Sequence, residues 1–242
     1  MRNRKTYIVC GFILILFQLF VVNELGPYSA TYGGYGFNVN AILLFLYFSI
    51  EFTMFSLMLA FYGEHFFRKE GIINLVRQGS RKKGYYDLII KSFFRLLILK
   101  IICFASYSAS IYVIYKSINY SELAFAFIFN FITCCILFEF QMFIEIKYGA
   151  KTGLLVINVI HIVLISAGSV LDEFAKNYGD IVAPICNFLN KLIIPNYLYL
   201  ERVRALSSNY FFTLLVLASV LVSLVLIGRL AINKLDILEK EN

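Results

Sequence analysis

Five polar side chains interrupt apolar runs long enough to be membrane helices: Glu51, Glu139, Gln141, Asn158 and His161. A charged group at bilayer depth is costly, so such residues face a bundle interior, a partner or a water-filled path. Two roles follow for them. One is packing, with each carboxylate hydrogen-bonded inside the bundle. The other is the polar wall of a substrate path, in which Glu51 and Glu139 attract a cationic cargo. Asn158 and His161 stand three residues apart and therefore share one helix face.

Catalytic constellations do not read out of the chain. A P-loop needs G-x-x-x-x-G-K-[ST], and the nearest string, Gly149-Ala150-Lys151-Thr152-Gly153, lacks the leading glycine-rich loop. It reads as a short basic turn between helices. An intramembrane protease needs a nucleophile with its base, or carboxylates and histidines around a metal. The two histidines, His65 and His161, make no such set, and no H-E-x-x-H or G-x-S-x-G occurs. The sequence therefore predicts no enzyme, no metal and no cofactor in this chain.

The sharpest local feature is Arg77-Gln78-Gly79-Ser80-Arg81-Lys82-Lys83. It reads either as a solvated basic run or as a docking element for a cytoplasmic partner. In the second case Arg77, Arg81, Lys82 and Lys83 meet acidic groups, Ser80 lies between them, and Gly79 lets the backbone turn sharply. Just before it, apolar residues at 72, 73, 75 and 76 have near-helical spacing. That fits a short amphipathic helix lying on the membrane or on a partner.

The elements that position these residues follow from composition. Of 242 residues 60% are hydrophobic and only 15% charged, against about 25% charged in an ordinary soluble domain. One soluble core of this size could not hide that apolar surface. The chain has 25 Phe, 17 Tyr and no Trp, so interfacial anchoring falls to Tyr. A spanning helix takes roughly 20 mainly apolar residues. Six segments qualify: 7–24, 39–63 (with Glu51), 94–115 (with Lys100 near one end), 123–146, 153–171 and 210–228. The first is read as an uncleaved helix, because no small-residue cleavage site follows it. Small residues at Ala105, Ser106, Ser108, Ala109 and Ser110 allow close helix approach in the third span.

Charge sets the orientation. All Lys and Arg except Lys116, Lys176, Lys191, Arg202 and Arg204 fall on one side of the six spans. By the positive-inside rule that side is the cytoplasm, and both termini lie in it. The same rule accounts for the net charge of +7 without nucleic acid. Two connections are long: a cytoplasmic one after the second span and an external one, 172–209. The external one holds Pro184 and Pro195 and apolar runs too short to span, which predicts re-entrant or interfacial segments. Of the five cysteines, Cys10, Cys103, Cys134 and Cys135 lie in spans and Cys186 in a polar stretch. They do not form a disulfide framework. No internal repeat or soluble domain boundary is visible, so residues 1–242 are one membrane domain.

This layout resembles the permease subunits of ABC-2 type ABC transporters. The Arg77-Gln78-Gly79-Ser80-Arg81 string is similar to the Arg-x-Gly-Ser-Arg stretch in the coupling segments of small Firmicute permeases. Those are associated with export of, or immunity to, bacteriocins and other peptides; phenol-soluble modulin exporters are a similar group. The resemblance covers nearly the whole chain by topology but only about 77–83 by motif. It implies an all-α integral membrane fold with six spans, both termini inside. A coupling helix (64–84) between the second and third spans and a re-entrant segment outside between the fifth and sixth complete that fold. It also implies a separate ATP-binding subunit carrying ATP and Mg, which docks on 64–84 and touches 147–152. A second permease copy, a hydrophobic or amphipathic peptide cargo moved outward and a bacterial cell membrane complete the expectation. The chain departs from the pattern at its start. Many such permeases carry an amphipathic helix before the first span, and only residues 1–6 precede it here. The alternatives are a stand-alone membrane immunity or sensor protein, and an ABC-2 permease for lipid or drug cargo.

Overall fold

The computed structural model describes residues 8–16, 19–20, 36–37, 42–60, 63, 81–116 and 119–233. These are helical almost throughout, with no strand among them. We label the helical stretch at 8–16 α1. It is followed by α2 (Ile42–Leu59), α3 (Arg81–Tyr115), α4 (Tyr120–Tyr148), α5 (Ala150–Asn177) and α6 (Gly179–Leu192). A 3-10 turn (Ile194–Leu198), α7 (Leu200–Leu206) and α8 (Tyr210–Asn233) complete the order. Among the described residues three helices, α4, α5 and the Tyr210–Ala231 part of α8, are long and apolar enough to cross a membrane.

Local chemistry explains the helix limits. Asn119 caps α4, its side chain accepting from the Glu122 amide in an Asn-x-x-Glu start, and Lys147 sits in the last turn. Between α4 and α5 only Gly149 leaves the helix, at φ 96°, where a side chain would be strained. The turn expected from the Gly149–Gly153 string is thus a single residue, and Gly153 already belongs to α5. A Cβ on Gly153 would lie 3.1 Å from the Glu145 amide nitrogen and 3.2 Å from the Gln141 carbonyl, so the glycine lets α4 and α5 touch backbone to backbone.

Hydroxyls within the helices bond back to their own turns. Ser92 donates to the Leu88 carbonyl, Ser110 to Ser106, Ser166 to Ile162 and Ser223 to Ser219. Each polar group is thereby satisfied without water, as a lipid-facing or buried helix requires.

The core is a cluster of Phe52, Phe55, Leu96, Cys134, Phe138, Ile157, Ile165 and Leu198, contributed by α2, α3, α4, α5 and the 3-10 turn. Helix α4 is the buried centre, whereas α5 and α8 keep apolar faces exposed, among them Leu155, Val159 and Val163 on α5 and Phe211, Val222 and Leu230 on α8. An aqueous protein rarely shows such contiguous faces; a bilayer accepts them.

Two features differ from the sequence expectation, the start of α3 and the burial of Cys186. Helix α3 is already formed at Arg81, well before 94, so Arg81, Lys82 and Lys83 are helical. Its 35 residues extend about 52 Å, longer than the roughly 30 Å of a bilayer core. The stretch 172–209, expected as a connection with re-entrant or interfacial segments, is helical over most of its length: α5 continues to Asn177, and α6, the 3-10 turn and α7 follow. Cys186 is not in a solvated stretch; it is buried on α6, and all five cysteines are buried and free. The expected amphipathic helix around 72–76 lies outside the described residues.

Candidate functional site: a polar seam and two clamps

The interior of the bundle carries many buried polar side chains, among them Glu51 and Ser56 on α2 and Asn130, Thr133, Glu139, Gln141 and Glu145 on α4. On α2, Glu51 faces Lys100 of α3, with Nζ to Oε1 at 3.4 Å and both side chains buried. The ammonium also lies 3.8 Å from the centroid of the Phe55 ring. A buried pair of this kind compensates two charges that neither lipid nor core would accept singly.

Two residues along α2, Thr53 Oγ1 donates to Asn158 Oδ1 at 2.7 Å, and Asn158 Nδ2 donates to Ser56 Oγ at 3.2 Å. Ser56 in turn donates to Gln141 Oε1 at 2.7 Å, and Gln141 Nε2 donates to Glu145 Oε1 at 2.8 Å. These bonds make an unbroken seam through α2, α4 and α5. Between the two groups Phe52 stacks on His161, ring centroids 4.0 Å apart. Both His161 nitrogens are buried without a hydrogen-bond partner among the described residues.

A clamp holds the start of α3. Tyr85 Oη donates to Glu139 Oε1 of α4. The same hydroxyl occupies the position that a Cβ on Gly228 of α8 would take. Burial, and then the adjacent Glu139 carboxylate, push the Tyr85 phenol above its ordinary range, so it is the donor of the pair. Beside it, Arg229 Nη1 of α8 donates to Tyr86 Oη at 3.0 Å. The first turns of α3 are thus tied to α4 and α8 together.

A second clamp holds the segment between α6 and α7 against α5. Arg202, buried, donates to the Ile165 carbonyl at 3.2 Å, to Asn196 Oδ1 at 2.7 Å and to Ser169 Oγ at 2.9 Å. Its guanidinium lies over the Phe37 ring at 4.9 Å. Burial lowers its pKa to about 10, so it stays cationic at neutral pH. Asn196 reaches the Asn190 carbonyl at 3.0 Å, and Asn130 Nδ2 of α4 reaches the Leu198 carbonyl at 3.0 Å. Gly168 makes room for this: a Cβ there would lie 2.6 Å from Asn196 Oδ1.

All five expected path residues are within the bundle, Asn158 part-buried and the others buried. The structure brings Gln141 and Asn158 together through Ser56. It does not join Glu139 to Gln141: two residues apart, they point to different faces of α4, one to Tyr85 and one to Ser56. The charge of Glu51 is met inside the chain by Lys100. Of the expected docking residues, Arg77, Gly79 and Ser80 lie outside the described residues; Arg81 and Lys82 open α3, and Lys83 is exposed. Sequence reasoning missed Lys100, Glu145, Thr53 and Ser56 as partners, missed Tyr85 altogether, and read Arg202 only as an external charge. The signals available were Glu145 and Lys100, ionisable groups at or near span ends.

Comparison of the chain with protein families, with curated proteins and with solved structures finds no match.

Proposed function

We propose that this chain is the permease subunit of an ABC-2 type exporter, moving a hydrophobic or amphipathic peptide out across a bacterial cell membrane. The energy comes from ATP and Mg on a separate ATP-binding subunit. In this reading α1, α2, the second half of α3, α4, α5 and α8 are the six spans. Both termini and the start of α3 are cytoplasmic, from the distribution of Lys and Arg. The α6–α7 region is the external re-entrant segment, and two permease copies form the path.

The observation that carries the reading is the clamp at the head of α3. The last residues of the basic stretch expected to grip the ATPase, Arg81, Lys82 and Lys83, form the first turn of α3. Four residues after Arg81 that helix is fixed to α4 by Tyr85–Glu139 and to α8 by Gly228 and Arg229–Tyr86. A displacement of the stretch is therefore delivered to three spans together rather than absorbed in a loop. A coupling lever needs that stiffness, because closure of an ATP-binding pair is useful only if the movement reaches the spans undiminished. On this view Glu51, Glu139, Gln141, Asn158 and His161, all held inside the bundle, line a path that is closed at rest. It meets cargo only when the spans move apart.

The test is affinity purification of the tagged chain from native membranes, with identification of what accompanies it. The expected companion is a protein with a complete P-loop. The double variant Arg81→Glu, Lys82→Glu releases it while the permease remains folded. A chain that purifies without any ATP-binding protein points to the stand-alone immunity or sensor alternative.

A further inference from the structure

A cavity of about 490 Å³ lies between the end of α6, the 3-10 turn and the start of α8. Leu206, Leu217 and Ile194 lie among its lining, and Phe212 and Val216 form the part beside the exposed face of α8. Its polar end holds Lys191 and Ser208, both exposed. Next to them Asn209 caps α8, its side chain accepting from the Phe212 amide at 3.0 Å, and Thr213 donates to Ser207 Oγ at 2.7 Å. Those polar groups are already satisfied and hold the rim in place. The Lys191 ammonium, by contrast, has no ion pair or hydrogen bond among the described residues, and no acidic residue lines the cavity. Helix α8 is apolar enough to cross a membrane and exposes Phe212, Leu215 and Val216, so the cavity opens where lipid is the solvent.

We propose that this cavity binds one anionic phospholipid of the surrounding bilayer, its acyl chain among Leu206, Phe212, Val216 and Leu217 and its phosphate at Lys191 and Ser208. The cavity opens beside the exposed apolar face of α8, so its occupant is drawn from the bilayer. Pockets of roughly 300–1,000 Å³ hold ligands the size of an acyl chain and headgroup. Charge separates anionic from zwitterionic lipid, because the mouth carries a cation with no carboxylate beside it. The inference does not rest on the transport reading and stands if that reading fails.

The chain has no Trp, so a single introduced Trp reports without background. Phe212→Trp puts the reporter in the cavity, Val216→Trp is a second cavity reporter, and Leu226→Trp on the exposed face of α8 reports bulk lipid. Each is reconstituted in vesicles containing phosphatidylglycerol or phosphatidylcholine with brominated acyl chains. The proposal predicts saturable quenching at 212 and 216 by low fractions of phosphatidylglycerol, absent at 226, and about fivefold weaker after Lys191→Gln. Equal quenching at the three positions overturns it. Quenching at 212 and 216 that ignores both headgroup and Lys191 overturns it as well.

Discussion

Removing one member of the Glu51–Lys100 pair should cost far more than removing both. At 3.4 Å and an effective dielectric of about 20, the gross attraction is about 5 kcal/mol. Deleting one partner leaves the other buried and uncompensated, which typically costs about 3–5 kcal/mol. The loss has a ceiling: from ordinary side-chain values, an orphaned carboxylate or ammonium can shed its charge at pH 7 for about 4 kcal/mol. Lys100→Met and Glu51→Gln are therefore each expected to lose about 3–4 kcal/mol, and the Glu51→Gln variant the less, because Phe55 still faces the ammonium. The double variant Glu51→Gln, Lys100→Met should return to within about 1 kcal/mol of the parent. Equilibrium unfolding in mixed micelles measures the four proteins as a double-mutant cycle. A double variant as unstable as the sum of the two single ones would refute the buried pair.

The clamp at the head of α3 makes its own prediction: Gly228→Ala drives a methyl onto the Tyr85 hydroxyl and should lower stability by about 1–3 kcal/mol. Ala at the neighbouring exposed Ile227 serves as the control in the same unfolding assay. Tyr85→Phe leaves a Glu139 oxygen without its donor and should cost about 1–3 kcal/mol; in the transport reading it also weakens the response of ATPase activity to cargo. Arg202→Gln frees the segment between α6 and α7 from α5 by losing bonds to Ile165, Asn196 and Ser169. Protease added to the outside of intact cells should then cut between residues 179 and 206, and an uncut segment would show that other contacts suffice. Glu139→Gln keeps an acceptor for Tyr85 but removes the charge, and the transport reading expects lower cargo-stimulated ATPase activity; unchanged stimulation rules out a role for that charge.

The parts of the fold that could be read were those fixed by local composition. The spans at 123–146, 153–171 and 210–228 fall inside α4, α5 and α8 because long, mainly apolar runs admit no other structure in lipid. The start of α3 was not legible. Residues 81–93 mix Lys, Arg and Asp with apolar groups, and a hydropathy reading ends where charge begins, although the backbone continues as a helix. The fold of 172–209 was hidden for a related reason: its apolar runs are short, and the later ones, at Ile193, Tyr197, Leu198 and Leu200, are buried where Asn196 and Arg202 meet α5 beside Gly168, partners that the local sequence does not show. Arg202 read as one of the few external charges, whereas its burial depends on the Ile165 carbonyl and Ser169 of another helix. Glu51, Glu139, Gln141, Asn158 and His161 were visible as polar intrusions in apolar helices. Their partners were not, because one sequence contains no register between helices. The separation of Glu139 from Gln141 was available from helix geometry alone, since two residues turn the face by about 200°.

The central claim, that the arginine-rich stretch preceding α3 is a cytoplasmic lever held by an ATP-binding subunit, is tested most directly by labelling. The five native cysteines are buried, which suits a single added thiol, Ser80→Cys, probed with a membrane-impermeant maleimide. The account predicts no labelling in intact cells, labelling once the membrane is opened, and protection when the ATP-binding subunit is bound. Labelling of Ser80→Cys from outside intact cells would contradict it.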